Sequence, residues 1–456
     1  MKKKIDLKSM SVQYFIGFVV NIIFLLVLIS FPTSYSNLQV PEGQYSDNYW
    51  QHSDVMSYVQ PARAYLETGV FLHRSISYWT GRPDFFRTIG FPLYLATMMR
   101  LFGSNWLIWA LFVQAAFYAC IYPALSKIIQ TLFPDNNSII VPVFCFSLFS
   151  GAYITMMPAL LTDLFFTVTF TIGLCFGLLS IARQNWKYLI LYLLFVSYAA
   201  QVRPMLAHYP IVNIFVLWLI AKRHSVLSFV KVKTMIIISS AVLLLACSAP
   251  SIRNYIHHGF FKPTIIFELN LFEYLTKDVM TDRDKLVEFE QMRQKIDATD
   301  SPIEKMSLQK KFAIEACTKY PGTVIKRIMR NSLPILANNF WLSTGPYWGY
   351  HWKDMPVPDG KHFEFKKSNF LFVIFVIGCV VYMIVYLFFM YFLYNLVKEK
   401  NWLFLFTILL FVGPILVATF PGTGGGARMR LPVEGLIIIC SFCGIRYLTL
   451  LKEQRQ

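Results

Sequence analysis

Apolar runs of bilayer length recur from one end of this chain to the other, and they constrain its fold more than any motif does. The hydrocarbon core of a membrane is about 30 Å thick, so a helix needs roughly 17–25 apolar residues to cross it. Windows of that kind fall near 13–33, 106–128, 138–155, 160–182, 187–201, 208–221, 234–250, 368–394, 402–420 and 431–449. The pattern predicts an all-α polytopic membrane protein with about ten transmembrane helices. Composition agrees. Of 456 residues, 56% are hydrophobic and 15% are charged, against about 25% charged in a soluble domain. The first run lacks a small-residue cleavage site and reads as a signal anchor.

Orientation follows from where lysine and arginine fall in short loops. "MKKKIDLK" starts the chain, and "AKRHSVLSFVKVK", "NLVKEKN" and "LKEQRQ" follow the sixth, eighth and last windows. With a cytoplasmic N-terminus and ten spans, all four lie on the cytoplasmic side, the C-terminus included. The expected location is the cell inner (plasma) membrane. Two large segments then face outward, 34–105 and 251–367, within a single membrane domain spanning 1–456. The stretch Arg87 to Gly103 is apolar but short, and it holds Gly90 and Pro92. It reads as an interfacial helix lying on the membrane. The second outer segment contains "TKDVMTDRDKLVEFEQMRQKIDATD", a charged helical pattern, and the aromatic run "NNFWLSTGPYWGYHWKDMP". Such aromatics suit a membrane interface or a sugar-binding surface.

The formal net charge is +17, and much of the excess sits in the short orienting loops. No basic run is interleaved with aromatics in a soluble domain, so a nucleic acid partner is not expected; the lipid bilayer is. Seven of the eight cysteines lie in apolar runs, where Cys acts as a small hydrophobe, and no obvious disulfide framework is present. No HxxxH, HExxH or GxSxG pattern is present, and neither a bound metal nor a cofactor is expected.

Ionisable residues gather at the outer ends of the predicted spans: Asp54, Arg82, Arg87, Asp163, Arg203, Arg253, Arg428 and Arg430. Taken singly, an arginine there snorkels to the headgroups and an acid caps a helix. Taken together, they depart from the positive-inside rule, and several guanidinium groups on one face suit a phosphate. The last of them follow three glycines in "PGTGGGARMRLP", which either forms a flexible turn or lets backbone approach an anion. Asp163 follows Thr162 at a span start and reads either as a cap or as a carboxylate facing an acceptor or a metal. Asp54 heads "DVMSYVQPARAYLETG", whose Tyr58, Ala62 and Leu66 repeat at helical spacing. His52 and the pair His257–His258 are outer-loop histidines without metal-ligand spacing.

In this order the motifs resemble the GT-C superfamily of membrane glycosyltransferases. An acid precedes "Y…A…L…G", and then comes "RTIGFPLYLA…LFG". Gln114, "TDLFF", "RP", "PSIRNY" and "RMRLPV" follow. The branch resembled is that of protein mannosyltransferases and lipid A aminoarabinose transferases. The likeness covers most of the chain and is thin across 270–367. It implies a GT-C-like architecture with two large extracytoplasmic loops bearing interfacial helices. It also implies transfer of a sugar from a polyprenyl-phosphate donor to a glycan, lipid or protein acceptor on the outer face. The family's first-loop acid maps onto Asp54, which the resemblance makes the general base in an inverting reaction. The leaving phosphate then falls to Arg87, Arg203, Arg253, Arg428 and Arg430, with Asp163, Tyr58 and His52 on the acceptor side. Asp54 stands alone where the mannosyltransferase branch has an adjacent acid pair, Asp47 competes with it, and Ile89 replaces the usual proline of "RTPG". The alternative from a different class is a transporter or flippase of a lipid-linked or anionic substrate, which would hold its ionisable residues near the membrane midplane.

Overall fold

A computed structural model describes residues 6–30, 53–72, 84, 87–156, 160–227, 229–337, 369–417 and 430–453. Among the described residues the chain is helical and forms no strand. α1 (Met10–Ser30), α2 (Ser53–Thr68) and α3 (Gly90–Phe102) come first. α4 (Trp106–Tyr118), α5 (Ile121–Leu132), α6 (Ile140–Leu148) and α7 (Gly151–Met156) follow. Next are α8 (Thr162–Ala182), α9 (Trp186–Val202), α10 (Tyr209–Arg223) and α11 (Val230–His258). A set of mostly short, polar helices comes after them: α12 (Ile266–Asn270), α13 (Lys277–Thr281), α14 (Leu286–Asp297), α15 (Pro302–Lys319) and α16 (Pro321–Ala337). α17 (Asn369–Lys398), α18 (Trp402–Val417) and α19 (Leu431–Glu453) close the chain.

Seven helical runs among the described residues are long and apolar enough to cross a membrane: Met10–Val27, Gly90–Leu132, Thr162–Ala182, Pro204–Arg223, Val230–His258, Val376–Lys398 and Leu431–Leu450. Trp186–Val202 and Trp402–Gly413 are apolar but shorter. The protein is therefore an all-α membrane protein, as its apolar runs predict. The window at 138–155 is divided between α6 and α7. The window at 106–128 breaks between α4 and α5, where Pro123 has no N–H for the Ala119 carbonyl and its ring crowds that group.

The run Gly90–Leu132 is not one rod. Tyr94 Oη donates to the Ala110 carbonyl at 2.7 Å, whereas sixteen residues of unbroken helix would hold the two about 24 Å apart. The chain turns at Gly103, whose φ is +52°, and α3 folds back on α4, where Phe102 stacks on Trp109 with centroids 4.9 Å apart. α3 buries Gly90, Phe91, Tyr94, Leu95 and Met98 and exposes Leu93 and Leu101. Its thirteen residues rise only about 20 Å.

α8 and α9 pack antiparallel and close because α8 carries Gly173 and Gly177 four residues apart, the spacing that lets apolar helices approach. A Cβ at Gly173 would stand 2.7 Å from Val196 Cγ2, and one at Gly177 would stand 2.8 Å from Tyr192 Cδ2. Farther along α9, Tyr192 donates to Asn213 of α10 at 2.5 Å, and Asn213 donates to Ser239 and Ser240 of α11 at 3.1 and 2.8 Å. These polar contacts fix the order of the helices where apolar packing alone is permissive. The polar helices hold a small core of their own around Phe272, Met280, Phe289, Ile296 and Phe312. Ser301 caps α15 by accepting from Glu304 N, with Pro302 in the first turn.

Candidate functional site

The packing of α8 on α9 fixes one end of the bundle. α8 starts there with Thr162 and Asp163, and α9 ends there one residue before Arg203. Arg203 Nη1 meets Asp163 Oδ1 at 2.5 Å, with side-chain exposures of 14% and 4%. Asp163 is not a cap: the N-cap of α8 is Leu161, which makes no side-chain cap bond. The acid lies in the first helical turn, where the helix dipole favours negative charge, and it is matched by a cation from the neighbouring helix.

Short links carry this pair to the first outer segment. Tyr58 Oη of α2 lies 3.2 Å from Thr162 Oγ1, beside Asp163. Thr88 Oγ1 donates to the Val202 carbonyl at 2.8 Å, beside Arg203. Gly90 makes the approach of α3 possible, since a Cβ there would lie 2.7 Å from the Gln201 backbone. Tyr198 Oη then closes on the Gly90 carbonyl at 2.9 Å. Arg87 is thereby set over α2. Its Nε donates to Ser57 Oγ at 2.9 Å, and its guanidinium carbon lies 4.7 Å from the centroid of the Tyr58 ring. The buried Asp84 accepts from the Arg87 backbone N–H at 3.3 Å.

The end of α11 supplies the third arginine. Arg253 Nη2 reaches the Arg87 carbonyl at 3.5 Å, and its Nε and Nη2 donate to Asn254 Oδ1 at 3.1 and 2.9 Å. Asn254 in turn donates to the carbonyls of Lys262 and Pro263 at 2.8 and 3.0 Å, which pins the chain as it leaves α11. Lys262 is itself ion-paired with the buried Glu268.

The structure thus gathers Tyr58, Arg87, Asp163, Arg203 and Arg253 at one end of the bundle, from five places in the sequence. Asp54 is the second residue of α2, one turn before Tyr58. The side chain of Asp54, and His52, Arg82 and Arg428 altogether, lie outside the described residues. Arg430 sits in a different constellation at the start of α19. It is fully buried, with its Nε 2.6 Å from Glu434 Oε2 and its guanidinium carbon 4.0 Å from the Tyr382 ring centroid. Tyr382 of α17 donates to the other oxygen of Glu434.

Asp84, Glu434 and Ser57 are among the residues of these clusters that no motif marks. Asp84 had a signal three residues before Arg87 in "RPDFFRT". Glu434 had a stronger one, an acid within an apolar run and four residues after Arg430. Ser57 had none, because a serine one residue before Tyr58 is ordinary until Arg87 is seen above it. Among the described residues no group of three or more His, Cys, Asp or Glu side chains is placed to hold a metal ion.

Chemically, one end of the bundle offers guanidinium groups held by a carboxylate, a serine, a tyrosine face and an asparagine. Each guanidinium carries five N–H donors in a plane, a form suited to phosphate oxygens. No family model matches this chain, and no curated protein matches it.

Proposed function

We propose that the protein is a glycosyltransferase of the GT-C type. It moves a sugar from a polyprenyl-phosphate donor to a hydroxyl acceptor on the extracytoplasmic face of the plasma (inner) membrane. In this reading ten helices cross the bilayer, both termini are cytoplasmic, and the end bearing Arg87, Asp163, Arg203 and Arg253 faces outward. The acceptor is a glycan, lipid or protein. Asp54 takes the proton from the acceptor hydroxyl as that oxygen attacks the anomeric carbon. The bond to the acceptor oxygen forms while the bond from the anomeric carbon to the phosphate oxygen breaks, inverting the centre. The electron pair leaves with polyprenyl phosphate, so no general acid is needed, and developing negative charge on the phosphate is met by guanidinium groups. Arg87, Arg203 and Arg253 are the candidates at that end of the bundle, and Arg430, paired with Glu434, is a further one. Arg428 belongs to the same proposal.

The observation that carries this reading is Arg87 held over α2, the helix that Asp54 heads, with Arg253 at its carbonyl and the Asp163–Arg203 pair joined to α2 through Thr162 and Tyr58. A set of cations beside an acid, at the end of an apolar bundle, matches a lipid-borne phosphate leaving group.

A second reading has its own support. Arg430 and Glu434 are 0% and 1% exposed where α19 begins, and buried ionisable residues in membrane helices mark transport pathways. That favours a transporter or flippase of a lipid-linked or anionic substrate. One experiment separates the two. Purified protein is given a panel of polyprenyl-phosphate sugars with candidate acceptors, and free polyprenyl phosphate is followed. Donor-dependent release supports the transferase. No release with any donor, together with protein-dependent movement of the same lipids across proteoliposome membranes, supports the transporter.

A further inference from the structure

At the end of the bundle opposite the arginine cluster, where α10, α17 and α19 finish, there is a cavity of about 300 Å³. Small-molecule sites start at about this size. Its floor is aromatic: Phe133 lies 6.0 Å from Phe392 and 5.4 Å from Phe404, centroid to centroid. Two cations and two acids stand around it, Arg223, Arg446, Asp135 and Glu399. Arg446 is 3.6 Å from Glu453, and Glu399 accepts from Tyr447 Oη at 3.4 Å. Arg223 lies over Phe133, its guanidinium carbon 5.6 Å from the ring centroid. Among the described residues neither Arg223 nor Asp135 has an ion-pair partner. Glu399 has no ion-pair partner among the described residues either, so one cation and two acids are left to face the same cavity. Leu396 and Leu450 also line it, and Leu450 is 37% exposed on the outside of α19, so the rim is apolar where it meets the membrane-facing side of that helix.

We infer that this cavity seats the phosphoethanolamine headgroup of a membrane aminophospholipid, its phosphate toward Arg223 and its ammonium toward Asp135 and Glu399. One cation left beside two carboxylates fits a zwitterion that brings both a phosphate and an ammonium. A purely anionic headgroup would bring its charge against both carboxylates. The carboxylates call for N–H donors, which an ammonium has and a choline lacks. The apolar lip gives the acyl chains a way back to the bilayer.

The test is native mass spectrometry and thermal melting of the full-length protein in detergent, with dioleoyl phosphatidylethanolamine, phosphatidylcholine or phosphatidylglycerol added. Phosphatidylethanolamine should be retained about tenfold better than the other two, equivalent to about 1.4 kcal/mol. Arg223→Gln and Glu399→Gln should each reduce that preference, while Arg223→Lys keeps part of it and serves as a folding control. Equal retention of phosphatidylcholine would overturn the ammonium–carboxylate half of the assignment. Equal retention of phosphatidylglycerol would overturn the zwitterion. Unchanged preference in both Gln variants would place the lipid elsewhere and overturn the site. Soluble phosphoethanolamine is the last arm: stabilisation equal to that by the lipid would overturn the membrane source.

Discussion

Arg87 shows how one residue ties the proposed chemistry to the fold. Its Nε is held by Ser57, its plane lies over Tyr58, and its backbone carbonyl meets Arg253. A lysine there keeps the charge and loses both the fixed plane and the second donor direction. Arg87→Lys should therefore weaken donor binding about tenfold, a loss near 1.4 kcal/mol, read as a rise in donor KM. Tyr58→Ala removes the ring under the guanidinium and should cost donor binding about fivefold, the weight of a cation–π contact near 1 kcal/mol. Tyr58→Phe keeps the ring, loses only the contact with Thr162, and should bind donor nearly as wild type does. At this scale the sequence makes arginine and acid identities legible, because charged residues at the ends of apolar runs stand out. The partners are not legible. Asp163 looks like a cap by position, and only the approach of α9 gives it Arg203 instead.

Elements decide whether those residues meet. The Asp163–Arg203 pair exists because α8 and α9 touch along Gly173 and Gly177. Gly177→Val would drive a branched side chain into Tyr192. It should cost about 1–3 kcal/mol, seen as a lower melting temperature in detergent. Outside the bundle, α16 is held to the polar helices by Arg327, which bonds both oxygens of Asp282 and lies 3.6 Å from Asp278. Partial burial pushes the Asp282 carboxyl up, but the hydrogen bonds and charge of Arg327 outweigh it and hold the group below its ordinary range. The sign follows. A depressed carboxyl stabilises above its unfolded pKa, near 4, and loses that contribution as pH falls through the lower folded value. Asp278, pushed up by burial against the pull of Arg327, works in the opposite direction and offsets part of it. Amide exchange across Pro321–Ala337, corrected for intrinsic rates, should lose protection when pH is taken from 6 to about 3. In Arg327→Gln that protection should already be low at pH 6 and change little with acid. Helix existence is legible from apolar and capping patterns, as at Ser301. Breaks are less so: Pro123 marks the division between α4 and α5, while the fold-back of α3 needs Tyr94 to find Ala110.

For the molecule as a whole, apolar length and the placement of lysine and arginine make the membrane class legible. Seven of the helical runs reach bilayer length unaided, whereas Trp186–Val202 and Trp402–Gly413 fall short and draw on neighbours. Number of spans and sidedness are therefore less legible than class, because a short helix crosses only if its companions thin or fill the bilayer around it. The proposed topology predicts opposite sidedness for two exposed segments. A single cysteine at Glu290 of α14, in a chain whose native thiols are replaced, should react with an impermeant maleimide from outside intact cells. One at Lys400 should react only after permeabilisation. The central claim is that an acid at the head of α2 drives sugar transfer beside the arginine cluster. Its most direct test compares wild type with Asp54→Asn in donor-dependent release of polyprenyl phosphate, with donor binding measured in parallel. The account predicts that binding persists while release falls by at least about 100-fold, the lower range for a general base. Release at the wild-type rate by Asp54→Asn would contradict it.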